Sequence, residues 1–158
     1  MDLLEELYND FVNQVELENN IKISLVDKQI IENENSRKGK IYSWFDANFV
    51  FHANILIDSS LSFEEKINVI LHEYGHCIFY VKLGKNEQQT WRTFDLGSYD
   101  VENEYAAFKF QLSQIKLVAE KYGDIILQNT INELKGFQNS IDGPHKIALD
   151  KLFRELEK

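Results

Sequence analysis

The stretch SFEEKINVILHEYGHCIFYVKLG, residues 62–84, decides the fold because it has the features of one long buried helix. It begins with a capping box, in which the Ser62 hydroxyl can accept from the Glu65 amide while the Glu65 side chain reaches back. Gly84 can supply the left-handed residue that ends the helix. Apolar side chains recur between them at the spacing of one helix face. They are Ile67, Ile70, Leu71, Tyr74, Ile78 and Val81.

Before this helix, the sequence predicts one amphipathic helix and three strands. The strands are rich in β-branched and aromatic residues, and Asp46-Ala-Asn48 can turn the second strand into the third. A polar loop is predicted from residue 27 to residue 40. We expect a sheet of about three strands packed on helices. The expected ranges are 3–15 for the helix and 21–26, 41–45 and 49–57 for the strands.

After the long helix, a polar connection over residues 85–99 leads to three further helices. The first has Asp100 as its expected N-cap and Gly123 at its end, and the last has Pro144 at its first position. The fold class is therefore α+β, with the long helix buried at its centre. The expected helix ranges are 101–121, 125–134 and 144–156.

Length, charge and cysteine content restrict the class of protein. A chain of 158 residues has the size of one domain, so we expect a single domain over residues 1–158. Its formal charge of −9 disfavours direct binding to nucleic acid and to anionic membranes. Cys77 is the only cysteine, so no intramolecular disulfide can form. The acidic N-terminus lacks the features of a secretory signal, and we expect a cytoplasmic protein without a membrane span.

Within the long helix, His72-Glu73-Tyr74-Gly75-His76 has the HExxH pattern. Histidines four residues apart lie on one helix face, so both imidazoles can reach one Zn²⁺ ion. Glu73 can then take a proton from the water that zinc activates and return it to a leaving amine. This pattern is typical of zinc metallopeptidases. The alternative is that both histidines are ordinary half-buried helix residues.

A catalytic zinc needs a third protein ligand and an open position. His52 is predicted in a strand and His145 at a helix start, and neither is placed well for that role. A carboxylate is therefore expected. The candidates are Glu102 and Glu104. The helix dipole already explains the presence of Glu102, because a negative charge is favourable in the first turn of a helix, so geometry favours Glu104 as the ligand.

The HExxH motif together with Glu104-Tyr-Ala-Ala107-Phe-Lys-Phe110 resembles the ImmA/IrrE family of metallopeptidases, which pairs HExxH with a later E-x-x-A-x-x-F helix. The resemblance covers residues 41–118. It implies a zincin-like fold with one zinc per chain, held by His72, His76 and Glu104 in a gluzincin-like arrangement, and Glu73 as the catalytic acid/base. The segment Gln111-Leu-Ser-Gln-Ile115 lacks the proline that family members typically have there.

The resemblance also implies a substrate, a helix-turn-helix repressor linked to a phage or another mobile element. We therefore expect a zinc-dependent endopeptidase that cleaves a specific cytosolic protein. Two alternatives are a zinc-binding regulatory module without turnover and a structural domain with a fortuitous motif. A donor to the oxyanion is expected by general mechanism, and Tyr99, His52 and Tyr42 are equal candidates for that role.

Overall fold

The computed structural model describes residues 2–17, 20–32, 38–86 and 100–158, and within these the fold is mixed α+β. It contains six helices and one three-stranded sheet in the described residues. Two compact units are formed by residues 1–77 and 78–158. The elements are α1 Leu3–Glu16, β1 Ile21–Val26, α2 Lys28–Glu32, β2 Gly39–Phe45, β3 Phe51–Asp58, α3 Phe63–Asn86, α4 Asp100–Tyr122, α5 Ile125–Ser140 and α6 Pro144–Leu156.

The sheet of the first unit has the order β1-β3-β2, which confirms the three predicted strands. β1 runs parallel to β3, with Ile21 beside Ala53. β2 runs antiparallel to β3, with Gly39 opposite Ile57. Alternate side chains of the central strand face the core, because successive residues of a strand point to opposite sides of a sheet. The buried ones are Phe51, Ala53, Ile55 and Ile57.

The predicted hairpin between β2 and β3 is confirmed, and Asp46 closes its turn. Its Oδ1 accepts from the amides of Asn48 at 2.8 Å and Val50 at 3.1 Å. Such bonds from an Asp side chain to the following backbone stabilise turns. Phe49 has a φ of 60°, a left-handed value outside the extended conformation of a regular strand. This explains why β3 begins at Phe51 and not, as predicted, at Phe49.

The loop predicted over residues 27–40 is wrong in part, because α2 and the start of β2 lie within it. The amide of Gln29 donates to Oδ1 of Asp27 at 3.0 Å, which caps the short helix. Ile31 is completely buried, and its burial stabilises the turn. A single turn of helix is too short for a periodic pattern to reveal. Residues 33–37 of the predicted loop lie outside the described part of the chain.

The capping box of α3 is confirmed, since the Glu65 amide donates to Oγ of Ser62 at 3.2 Å. The apolar stripe is buried where predicted at Ile67, Ile70 and Leu71. The predicted end at Gly84 is wrong, because α3 continues to Asn86. One glycine costs a helix only about 1 kcal/mol, so it need not end one. Most of the predicted connection, residues 87–99, lies outside the described residues.

In the second unit, α4, α5 and α6 pack on each other around a shared core. α4 begins at Asp100 itself, one position before the prediction, and ends before Gly123, whose φ of 104° confirms it as the terminator. α5 runs past the predicted end to Ser140, and α6 has the predicted bounds. The core residues are Phe108, Leu112, Leu134, Ala148, Leu149, Leu152 and Phe153.

None of the helices in the described ranges combines the length with the apolar character needed to cross a membrane.

Candidate metal centre

His72 and His76 lie one helical turn apart on α3, and their rings meet. The two Nε2 atoms are 3.2 Å apart. The ring centroids are 4.7 Å apart, with the ring planes at 88°. His76 is only 6% exposed, whereas His72 is half-buried. The predicted helical spacing therefore brings two imidazole nitrogens within 3.2 Å of each other.

This separation fits a metal ion. Two nitrogens that each lie about 2.0–2.1 Å from a tetrahedral zinc are roughly 3.3–3.4 Å from each other. The observed 3.2 Å is close to that value. Two imidazoles with their Nε2 atoms turned toward each other can thus share a zinc ion without rearrangement of the helix.

Glu104, on the first turns of α4, is the third member of the cluster. Each of His72, His76 and Glu104 offers one ligand atom, and these atoms lie within 4.8 Å of one another. The Glu104 side chain is 14% exposed. The three residues are therefore close enough to hold one metal ion. They are the residues that the sequence analysis proposed as its ligands.

Glu102, the alternative third ligand, is exposed on α4 and does not belong to this cluster. It lies in the first turn of the helix, beside Asp100, where a negative charge is favourable. Of the two candidate glutamates, only Glu104 therefore lies near the two histidines. Side chains two positions apart on a helix point to different faces, which accounts for the different environments of Glu102 and Glu104.

Comparison with protein-family models, with curated proteins and with solved structures gave no match for this chain.

The two remaining histidines have other partners. Nε2 of His52 is 2.9 Å from Oδ2 of Asp46. The His52 ring stacks on the ring of Trp44, with the ring centroids 5.4 Å apart. His145 lies 3.2 Å through Nε2 from Oε1 of Glu104. Neither belongs to the cluster of three. The sequence does not predict the contact between His145 and Glu104, because no local pattern links the start of α6 to the start of α4.

Glu73, the predicted acid/base, is half-buried and follows His72 directly on α3. It does not belong to the cluster of possible ligands, which leaves its carboxylate for another role. Cys77 is completely buried. Burial raises the pKa of its thiol strongly, and the nearby negative charge of Glu73 raises it further. A thiol held in the protonated form is a poor metal ligand, so its exclusion from the site agrees with its environment.

The predicted oxyanion donors remain unassigned. Tyr99 lies outside the described residues. Tyr42 is 48% exposed on β2, with the ammonium of Lys40 over its ring at 4.6 Å. His52 is engaged by Asp46, as described above.

Proposed function

We propose that this protein is a zinc-dependent endopeptidase that holds one zinc ion with His72, His76 and Glu104. The proposal is supported above all by the proximity of the three ligand atoms, which lie within 4.8 Å of one another. Two imidazoles and one carboxylate are the donor set of several catalytic zinc sites, in which a fourth position stays open. Structural zinc sites, in contrast, usually have four protein ligands and several cysteines. The donor chemistry thus favours catalysis.

When bound, zinc would polarise the scissile carbonyl and make a water molecule acidic enough to attack it near neutral pH. Glu73 accepts the proton from that water at its carboxylate as the new carbon–oxygen bond forms. It then gives the proton to the amine nitrogen as the carbon–nitrogen bond breaks. The products are a carboxylic acid and an amine, and Glu73 is regenerated. His72 and His76 only hold the metal.

The proposed substrate is a helix-turn-helix repressor, as the resemblance to the ImmA/IrrE family implies. Charge supports this choice. Proteins that bind DNA carry Lys and Arg on the surface that meets the phosphates. A protease with a net charge of −9 attracts such a surface at long range, which raises the rate of encounter. A DNA-binding substrate would place the reaction in the cytoplasm. The proposed link to a phage or other mobile element comes from the same resemblance.

The test compares wild-type protein with Glu73→Gln, His72→Ala and His76→Ala. Bound zinc is measured by atomic absorption after purification without chelator. Cleavage of a panel of purified helix-turn-helix repressors, and of casein as a general substrate, is followed by mass spectrometry. Glu120→Gln is the matched control, since this exposed glutamate lies on α4 away from the first turns.

Glu73→Gln should keep its zinc and lose cleavage by about 10²–10⁴-fold, because it loses the proton acceptor but no ligand. The two alanine variants should lose zinc and cleavage together, and the control should match wild type. Undiminished cleavage by zinc-loaded Glu73→Gln would refute the mechanism. If every protein binds zinc and none cleaves, the protein is a zinc-binding regulatory module instead.

A further inference from the structure

His145 lies outside the HExxH motif and touches a proposed zinc ligand. It follows Pro144 at the start of α6. Its Nε2 lies 3.2 Å from Oε1 of Glu104, within hydrogen-bonding distance. Both side chains are partly shielded from solvent, with 27% of the His145 side chain and 14% of the Glu104 side chain exposed. Shielding strengthens a charge-assisted bond, because water competes for it less.

The ring of His145 is fixed by its neighbours. Phe137 meets it edge-on at 5.9 Å and Phe108 at 6.4 Å between ring centroids. The next turn of α6 places Ala148 and Leu149 in the core, and both are completely buried. A side chain on such an anchored helix turn loses little further entropy when it makes its bond. His145 is therefore preorganised to hold a carboxylate.

The backbone that carries Glu104 is fixed from the other side. Nδ2 of Asn103, the preceding residue, donates to the hydroxyl of Tyr80 at 3.0 Å. Asn103 is only 8% exposed. Tyr80 lies on α3, one turn after His76. This bond joins the start of α4 to the last turns of α3.

We propose that His145 is a positioning residue that orients Glu104 for zinc, an inference that rests on the proposed function. A carboxylate has two oxygens with several lone pairs, so Glu104 can accept from His145 and ligate an ion at the same time. Both the imidazolium and the neutral ring with its proton on Nε2 can donate, so the role does not require a particular charge. Outer-shell partners of this kind fix the ligand's direction and typically contribute about 10–100-fold to metal affinity.

The experiment measures zinc affinity by competition with a chromophoric chelator in the full-length protein. His145→Leu removes the donor and should weaken zinc binding by about 10–100-fold. His145→Gln keeps an amide donor at a similar distance from the backbone and should retain most of the affinity. Lys146→Leu is the control at the next position of α6, where the side chain pairs with Asp150. It should bind zinc as wild type does.

Two further readouts separate positioning from a loss of folding or of a ligand. The visible spectrum of the Co²⁺-substituted protein should change in His145→Leu and not in His145→Gln, because only the former changes the geometry around the ion. The unfolding midpoint of each metal-free variant reports the folding of α6 without zinc. In the Glu104→Gln background, His145→Leu should weaken zinc binding little further, since the residue it acts through is already lost.

Wild-type affinity and an unchanged Co²⁺ spectrum in His145→Leu would overturn the inference. So would equal losses in His145→Leu and His145→Gln, or additive losses in the double variant. If wild-type protein binds zinc and the variants behave as expected, but no substrate is cleaved, only the peptidase assignment fails. If wild-type protein binds no zinc, both proposals are wrong.

Discussion

Gly39 of β2 lies so close to Val69 of α3 that a Cβ atom added to the glycine would be 2.3 Å from Cγ1 of the valine. The same atom would be 3.2 Å from the backbone oxygen of Leu56. Both distances are shorter than ordinary van der Waals contacts. The absence of a side chain at Gly39 thus lets the histidine-bearing helix rest directly on the sheet.

Gly39→Ala should therefore destabilise the protein by about 1–3 kcal/mol, the usual cost of overpacking. Val69→Ala in the same chain should recover part of that loss, because it removes the nearest atom. The measurement is urea unfolding of the two single variants and the double variant. Additive losses would show that the contact with Val69 is not the cause.

Zinc should bind once per chain and raise the unfolding midpoint. The reason is that the ligands converge only in the folded chain, so zinc binds the folded state far better than the unfolded one. At a free zinc concentration about 100 times the Kd, the gain is roughly 2.7 kcal/mol. Thermal unfolding with and without a chelator measures it, together with titration to find the stoichiometry. A midpoint that a chelator leaves unchanged would contradict the prediction.

Glu104→Gln should weaken zinc binding by more than about 100-fold, which exceeds the effect typical of an outer-shell partner, because it removes an anionic ligand. Glu102→Gln makes the same chemical change at an exposed position of the same helix. It should leave zinc affinity near wild type and lower helix stability by about 0.3–1 kcal/mol through the lost dipole interaction. Competition with a chromophoric chelator compares the two variants. A larger loss in Glu102→Gln would exclude Glu104 as the ligand.

Acid should destabilise the turn that leads into α3. Oγ of Ser60 donates to Oδ1 of the buried Asp58 at 2.7 Å, and the Ser60 amide donates to it at 2.9 Å. These bonds hold the pKa of Asp58 below its ordinary value of 3.8. Because folding lowers this pKa, the ionised carboxylate stabilises the folded protein fully at pH values above the ordinary pKa. This stabilisation is lost as the pH falls through the lower pKa of the folded state.

Asp58→Asn removes the ionisation but keeps an acceptor oxygen. Its free energy of unfolding should therefore fall less than that of wild type between about pH 6 and about pH 2. Urea unfolding across this range gives both curves. Parallel curves would show that Asp58 does not contribute to the acid sensitivity.

Elements with strong local signals could be predicted from the sequence. The capping box at Ser62, the alternation from Ile21 to Val26 and the Pro144 start of α6 each fix backbone geometry through neighbouring residues. The structure has the capping box, a strand over Ile21–Val26 and the helix start where the sequence predicts them. The burial in this strand does not follow the alternation throughout, since Leu25 is exposed. The short helix α2 could not be predicted, because the burial of Ile31 that stabilises it depends on contacts that are distant in sequence.

The candidate site was predictable to a similar degree. His72 and His76 follow from helical spacing alone. The choice of Glu104 over Glu102 depends on which face of α4 is buried. The sequence predicts that face only approximately, because it places the start of a helix only to within one or two residues. The contact from His145 to Glu104 joins α6 to α4 through tertiary packing, so no local pattern could reveal it.

The strand order β1-β3-β2 has a consequence for the kinetics of folding. β2 and β3 are joined by a tight turn and can pair within microseconds, the timescale of hairpin formation. β1 pairs in parallel with β3, and the two strands are separated along the chain by α2 and β2. This pairing must close a long loop, which costs conformational entropy and slows folding. We expect the hairpin to form first and the addition of β1 to limit the rate. The strand that begins at Ile21 is then the last part of the sheet to fold. In a variant that folds more slowly, this strand would stay unpaired and exposed to solvent for longer.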